Sequence, residues 1–335
     1  MDYKLFVGID QSKLTFDAAV LHRDKPTEVH HEKFDNNLRG LKKMLRWIKS
    51  LHKAALHEIL FCAEHTGLYC LPLSIFLSEQ KAHLWLENPL HIKLSSGLKR
   101  GKSDPADAKD IAHYCYTHRV QVKLYQLPDK TILALKQLLT CRTRLVKHQT
   151  AWKISSKELT EFDADATGLI TKESKSLIKI FDKKIEAVDA QMLKLVDEDR
   201  QLQKQFELIK SVHGVGKQTA LFILAYTNGF TLFDDWRKFA CYCGIAPFEY
   251  SSGTSIRGKT RVSHLANKKL KTLLNMCALN TIKKENEFKI YYDRRRAEGK
   301  SHMSTINIIR NKIVSRIFAA VRRGTPYQPS LLQAA

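Results

Sequence analysis

The chain has 335 residues, long enough for two domains with separate cores, and its 56 Lys and Arg against 34 Asp and Glu give a formal net charge of +22. That excess points to nucleic acid or an anionic membrane surface as partner. No apolar run approaches the ~20 residues that span a bilayer, the opening MDYKLFVGID lacks signal-peptide character, and seven cysteines without framework spacing argue for a reducing, cytoplasmic setting.

In chain order, YKLFVGID, LTFDAAVL and TEVHHEKF read as three strands with turn signals between them. Asn36-Asn37 opens a helix through Leu41, Met44, Leu45 and Ile48, and EILFCAE is apolar enough for a buried central strand. A helix follows Gly67, HLWLE is another strand, and a further helix begins at Asp104. Three strands followed by alternating helices and strands predict an α/β domain over 1–128, a ribonuclease-H-like mixed sheet with flanking helices. The stretch 129–206 has almost no turn residues and is predicted to be helical. There Ile178, Phe181, Ile185, Val188, Met192 and Leu195 alternate spacings of three and four, until Asp199 interrupts before Leu202 and Phe206. Leu135, Leu138, Leu145 and Trp152 form a second seam, with Arg142 and Gln149 interposed. About three heptads fit either an intramolecular hairpin or a coiled coil that pairs protomers. The region 207–329 is mainly helical and very basic, and 330–335 is a short tail. Cys241 and Cys243, a C-x-C without a second pair, read as small buried residues rather than zinc ligands.

Four features carry chemistry. In SVHGVGKQTA, Gly214 and Gly216 would let a tight, helix-hairpin-helix-like turn offer backbone N–H groups to a phosphate, with Lys217 adding charge. Asp10 and Glu64 each end an apolar strand, where a carboxylate is costly unless paired or bound to a cation. Asp104 and Asp107 lie one helical turn apart behind Lys99, Arg100 and Lys102, a basic cluster suited to nucleic acid. Alone, that pair fits a helix cap, Asp104 as N-cap with Pro105 following and Asp107 complementing the dipole. With Asp10 and Glu64 it makes a set of oxygen donors suited to Mg²⁺, with Mn²⁺ as substitute. Asp17, Glu87 and Asp110 are weaker members. Last, APFEYSSGTSIRGKTRVSHLANKKLK reads as a Ser-rich loop, Ser251 to Ser255, followed by Arg257, Lys259, Arg261, Lys268 and Lys269 for phosphate contact. A serine nucleophile there would need activation by metal and cations.

VGID, AEHTG, KSDPADA, HGVGKQTA and APFEYSSGTSIRG, in this order along essentially the whole chain, resemble the bridge-RNA-guided insertion-sequence transposases, the family that includes Piv/MooV-type DNA invertases. The resemblance implies a RuvC-like DEDD domain holding metal through Asp10, Glu64, Asp104 and Asp107, a coiled-coil segment, and a transposase domain with a nucleophilic serine. The family's S-G step aligns Ser252 with that nucleophile, with Ser251 and Ser255 as neighbours of the same type. It also implies donor and target DNA, a structured non-coding bridge RNA and a homo-oligomer, dimer or tetramer, active at the nucleoid of a prokaryotic cell. A metal-dependent nuclease using water, and a non-catalytic DNA- or RNA-binding protein, are the alternatives from other classes.

Overall fold

The computed structural model describes residues 2–97, 103–162, 168–253 and 255–329. It divides into two compact units, one ending at Leu127 and one beginning at Pro128.

The first unit is a mixed sheet with helices on both faces. Its strands are β1 (Leu5–Gln11), β2 (Thr15–His22) and β3 (Lys25–Asp35), followed by helix α1 (Leu38–Leu51), β4 (Ile59–Glu64), α2 (Leu71–Glu79), β5 (His83–Glu87), α3 (Pro89–Ser95) and α4 (Asp104–Thr117). Asn37, the second Asn of the predicted pair, caps α1 by accepting from the Gly40 amide. The strand order is β3-β2-β1-β4-β5, antiparallel through β1 and parallel from β1 to β4 and β5. β1 and β4, the two most apolar runs, therefore lie side by side at the centre. α3 has no counterpart in the expected elements. Its seven residues are initiated by Asn88, which caps the Leu90 amide, and Pro89, a local signal too short to show helical periodicity.

α4 lies directly on β1. A Cβ placed on Gly8 would stand 2.2 Å from the Ala112 nitrogen and 2.3 Å from the Ala108 oxygen, so glycine is needed for strand and helix to meet. Gly8→Ala is expected to destabilise the first unit by at least about 1–3 kcal/mol, the usual cost of overpacking, since the obstacle is backbone. A thermal melt checks this; an unchanged midpoint would show that α4 does not sit on β1.

The second unit is mainly helical: α5 (Lys130–Phe162), α6 (Gly168–Asp197), α7 (Arg200–Lys210), α8 (Lys217–Thr227) and α9 (Trp236–Tyr242), then a ribbon of β6 (Pro247–Ser252) and β7 (Ile256–Val262), then α10 (Lys268–Thr281), α11 (Glu287–Ala297) and α12 (His302–Arg323). α5 and α6 form an antiparallel pair. The polar residues that interrupt the second seam find partners across it: Arg142 Nε donates to Asp189 at 2.6 Å, and Gln149 donates to Asp182. Among the described residues, only the base of this pair, with Leu135, Leu139, Met192 and Val196, enters the core of the unit. Asp199 breaks the longer seam because it caps α7, accepting from the Gln201 and Leu202 amides at 3.0 Å. Cys243 is buried and Cys241 partly buried, and all seven cysteines are free thiols.

Candidate functional site

Glu64 closes the buried run of β4, whereas Asp10 is the penultimate residue of β1, followed by the buried Gln11 rather than ending the strand as expected. The register pairs Ile9 with Ala63, so the two acids are the next neighbours along it. Side chains alternate faces along a strand. Phe6, Leu60 and Cys62 pack with α4, while Leu5, Val7, Ile9, Phe61 and Ala63 pack with α1 and α2. By that parity Asp10 and Glu64 project to the α4 side. The helix runs against β1, since Tyr116 meets Phe6 with ring centroids 5.3 Å apart and Ala108 and Ala112 meet Gly8. Its first turn, with Asp104 and Asp107, is thereby carried toward the Asp10 end. The four predicted acids share one end and one face of the sheet. Asp10, Glu64 and Asp107 are partly buried and Asp104 is exposed.

Asp104 is not the helix cap that Asp-Pro suggests. Ser103 is the N-cap, without a side-chain cap bond, and Asp104 is already helical. Both acids of the first turn still favour the helix dipole.

The row of acids is longer than expected. Asp17 stands directly opposite Asp10 and Glu87 opposite Glu64, so Asp17, Asp10, Glu64 and Glu87 form one line across four strands. Like charges so placed repel, and the two ends are held by protein donors. Asp17, 3% exposed, lies 2.7 Å from His31 Nε2 and 3.8 Å from Lys33 Nζ. Glu87 accepts from Tyr114 at 3.1 Å and lies 3.0 Å from His91 Nδ1. Burial, and then the Glu87 charge, push the Tyr114 hydroxyl well above its ordinary pKa, so it stays a donor. Asp110, also on α4, is partly buried. Among the described residues no three His, Cys, Asp or Glu side chains converge closely enough to hold a metal ion between them. The acids form an open edge, not a closed cage.

Ser252 lies in the second unit. The stretch expected as a Ser-rich loop is an antiparallel ribbon, with Ser252 ending β6 opposite Ile256 and Ser251 opposite Arg257. Every residue of β6 is exposed, so no buried alternation marks it in the sequence. Ser251, Ser252 and Ser255 are all exposed. The base of the ribbon is anchored: Asn307 and Asn311 donate to the Ile245 carbonyl at 2.9 Å, and the Asn267 amide donates to Tyr242 O at 2.9 Å. Asn267 also caps α10, so the ribbon runs straight into Lys268 and Lys269. Arg257, Lys259 and Arg261 are all on β7, the two arginines exposed. Exposed Phe248 and Tyr250, which lie on β6 with Ser252, are absent from the sequence expectation; the F-E-Y-S alternation is their signal.

Gly214 has a φ of +81°, the left-handed value a tight turn requires, and it also allows close packing against α10: a Cβ there would come 1.8 Å from Thr281 Oγ1 and 2.6 Å from Cys277 O. Gly216 is the N-cap of α8 with open space beside it, and Lys217 opens that helix, exposed. α8 and α10 are antiparallel, with Thr219 beside Cys277 and Phe222 beside Lys269. Gly216 and Lys217 are therefore at one end of this pair, and Lys268 and Lys269 at the other. Lys99, Arg100 and Lys102 lie outside the described residues.

Two family models match in order, one described as transposase (DEDD_Tnp_IS110) over residues 7–161 and one as transposase IS116/IS110/IS902 family over residues 206–293. The chain belongs to the IS110 family of transposases. The first match spans Asp10, Glu64, Asp104 and Asp107, and the second spans Gly214 through Lys269 with Ser252 between them. This IS110-family chain is 25% identical over 334 residues, 97% of its length and 98% of the relative's, to the pilin gene-inverting protein of Moraxella bovis. It is 34% identical over 121 residues, 36% of the chain and 30% of the relative, to an uncharacterized 43.6 kDa protein of insertion element IS110 from Streptomyces coelicolor. An uncharacterized 42 kDa protein of insertion element IS900 from Mycobacterium paratuberculosis is 27% identical over 160 residues, 46% of the chain and 39% of that relative. As an IS110 transposase the protein is a DNA recombinase. No helix among its described residues is long and apolar enough to cross a membrane.

Proposed function

We propose that this transposase is an RNA-guided recombinase that exchanges strands between donor and target DNA through a Ser252–DNA intermediate, with Mg²⁺ at the acids of a RuvC-like first unit. The observation that carries the reading is the shared edge of Asp10, Glu64, Asp104 and Asp107, on the parallel β1–β4 pair and α4. An open edge of carboxylates suits Mg²⁺, which keeps several waters and takes few protein ligands alongside substrate phosphates. Asp10, Glu64, Asp104 and Asp107 would hold it. Bound there, the ion would polarise the scissile phosphoryl group and offset charge on the attacking and leaving oxygens.

In the step assigned to Ser252, its Oγ attacks phosphorus. A P–Oγ bond forms as the P–O bond to the leaving strand breaks, and the hydroxyl proton passes through solvent to the leaving oxygen. The diester energy is retained, so a strand hydroxyl can later reverse the exchange. Support for strand exchange, over hydrolysis by water, comes from the full-length similarity to proteins named for inverting a pilin gene, since inversion requires rejoining.

Arg257, Arg261, Lys217, Lys268 and Lys269 would meet phosphates, as would the basic cluster at Lys99, Arg100 and Lys102. Base pairing with a structured bridge RNA would supply sequence choice while the protein reads backbone and shape, as in guided nucleases. Pairing of protomers into a dimer or tetramer is supported by Trp152, Ile154, Leu169, Ile170 and Ile180, exposed apolar residues of the α5–α6 pair. Such a protein would work in the cytoplasm, at the nucleoid.

The test is purification of the full chain from cells carrying its element. A structured RNA should copurify, and ribonuclease should abolish sequence-specific DNA binding while leaving salt-sensitive, non-specific binding. That residual affinity should fall about 10³–10⁵-fold between 50 and 200 mM salt if six to ten phosphates are contacted, with a shallower slope in Arg257→Ala/Arg261→Ala. Specific binding by RNA-free protein would overturn guidance; a flat salt response would overturn the phosphate interface.

A further inference from the structure

The ribbon that ends in Ser252 carries aromatic surface that the reaction above does not use. Phe248 is 50% exposed and Tyr250 68% exposed, on a strand with no buried residue. A lone two-stranded ribbon is marginally stable in water, and two bare rings on one add apolar surface that needs a cover. Strand alternation puts Phe248, Tyr250 and Ser252 on one face, and Arg261, directly opposite Phe248, shares it. The Tyr250 ring lies over Gly258: a Cβ there would be 2.9 Å from Tyr250 Cδ1 and 3.1 Å from Tyr250 O. One side of the ring is thus laid against backbone while the residue stays mostly exposed. Beside it opens a cavity of about 540 Å³ whose lining includes Phe248, Glu249, Tyr250 and Arg261, with Val262 and Ser263.

We propose that Phe248 and Tyr250 form a stacking platform for one unpaired nucleobase of the DNA strand that Ser252 attacks. The chemistry of the lining selects the occupant. Two exposed rings offer a phosphate nothing, whereas the Arg261 guanidinium at their edge can meet the base or the phosphate beside it. A flat, neutral base with donors and acceptors on its edge gains from both rings and from Arg261 donors. A lipid surface would need more than two adjacent rings to insert. Position supports the same occupant: residues two apart on a strand are separated by about 6.6 Å, the scale that separates a phosphate from a base of its own strand. Holding that base out of the stack would free the neighbouring backbone to bend toward Ser252, the logic used by enzymes that extrude a nucleotide. Phe248 and Tyr250 are positioning residues. The placement on the attacked strand rests on the proposed role of Ser252; the platform itself does not.

The test uses full-length Ser252→Ala protein, so that binding is read without chemistry. The probes are a single-stranded DNA oligonucleotide carrying 2-aminopurine and the same sequence as RNA. Stacking on a ring should quench 2-aminopurine in the DNA probe. Tyr250→Ala and Phe248→Ala should each relieve the quench and weaken binding about tenfold, whereas Tyr250→Trp should keep it, and Arg261→Ala should weaken binding with the quench retained. Circular dichroism of each variant separates loss of platform from loss of fold; these side chains lie outside the core. Unchanged quenching in both alanine variants would overturn the platform, as would a DNA probe that is never quenched. Quenching of the RNA probe alone would overturn the assignment to DNA. Failure of Ser252 as nucleophile would show in adduct formation and leave these signals untouched.

Discussion

Ser252→Ala protein is expected to form no covalent DNA adduct and to lose recombination by roughly 10⁴–10⁶-fold, the scale seen when a nucleophile is removed from an enzyme that needs it. The substrate that reveals the adduct carries a nick just beyond the scissile bond. The short leaving fragment then diffuses away, rejoining is blocked, and the phosphoserine ester accumulates. In wild-type protein this adduct should survive denaturant and require Mg²⁺. Ser251→Ala is expected to retain it. Ser251 is the neighbour on the same strand, opposite Arg257, so alternation turns it to the other face of the ribbon. Ser252→Cys should be poor in Mg²⁺, a hard ion that does not activate a thiol well. Cleavage by Ser252→Ala at the wild-type rate would make water the attacker. An adduct that maps to Ser251 or Ser255 would keep the mechanism and refute the residue.

What is legible in the sequence follows from burial. β1 and β4 declare themselves because both faces are covered, and an unbroken apolar run ending in an acid marks a buried strand whose tip meets charge or solvent. The same alternation puts Asp10 and Glu64 on the side of α4, yet it cannot reveal the whole row. Asp17 and Glu87 join it through the strand register, which pairs residues distant along the chain. Motif position alone ranks them too low. Asp104 is misplaced by a single residue: Asp-Pro fits a cap, but the cap lies one position earlier, at Ser103. The β6–β7 ribbon escapes a sequence reading for the opposite reason. With every β6 side chain exposed, no buried position anchors the period, and the F-E-Y-S alternation alone hints at a strand. Gly214 shows a third kind of gap. G-x-G signals the tight turn, but the close approach of Thr281, far along the chain, is visible only in the fold.

Asp10→Asn and Asp107→Asn should each lower strand cleavage by more than about 100-fold, beyond the roughly 10–100-fold cost of losing a supporting partner of a metal ligand. Asp17→Asn and Glu87→Gln supply that comparison, because both flank the row but are held by His31 and Lys33, or by Tyr114 and His91. Nucleic-acid affinity separates loss of metal from a binding defect. Each substitution removes one negative charge from a chain whose formal net charge is already +22, so affinity for phosphates should hold or rise slightly while cleavage collapses. Folding should largely hold too: Asp107→Asn gives up only the helix-dipole contribution of a first-turn carboxylate, about 0.3–1 kcal/mol, so the thermal midpoint without metal should shift little. Added Mg²⁺ should raise that midpoint in wild-type protein by linkage, and the rise should shrink in Asp10→Asn. If Asp10→Asn and Asp107→Asn cut DNA as well as wild type in Mg²⁺, the acids are features of the sheet edge alone. If instead all four variants lose activity equally, the row acts as one electrostatic unit, and its flanks matter as much as its centre.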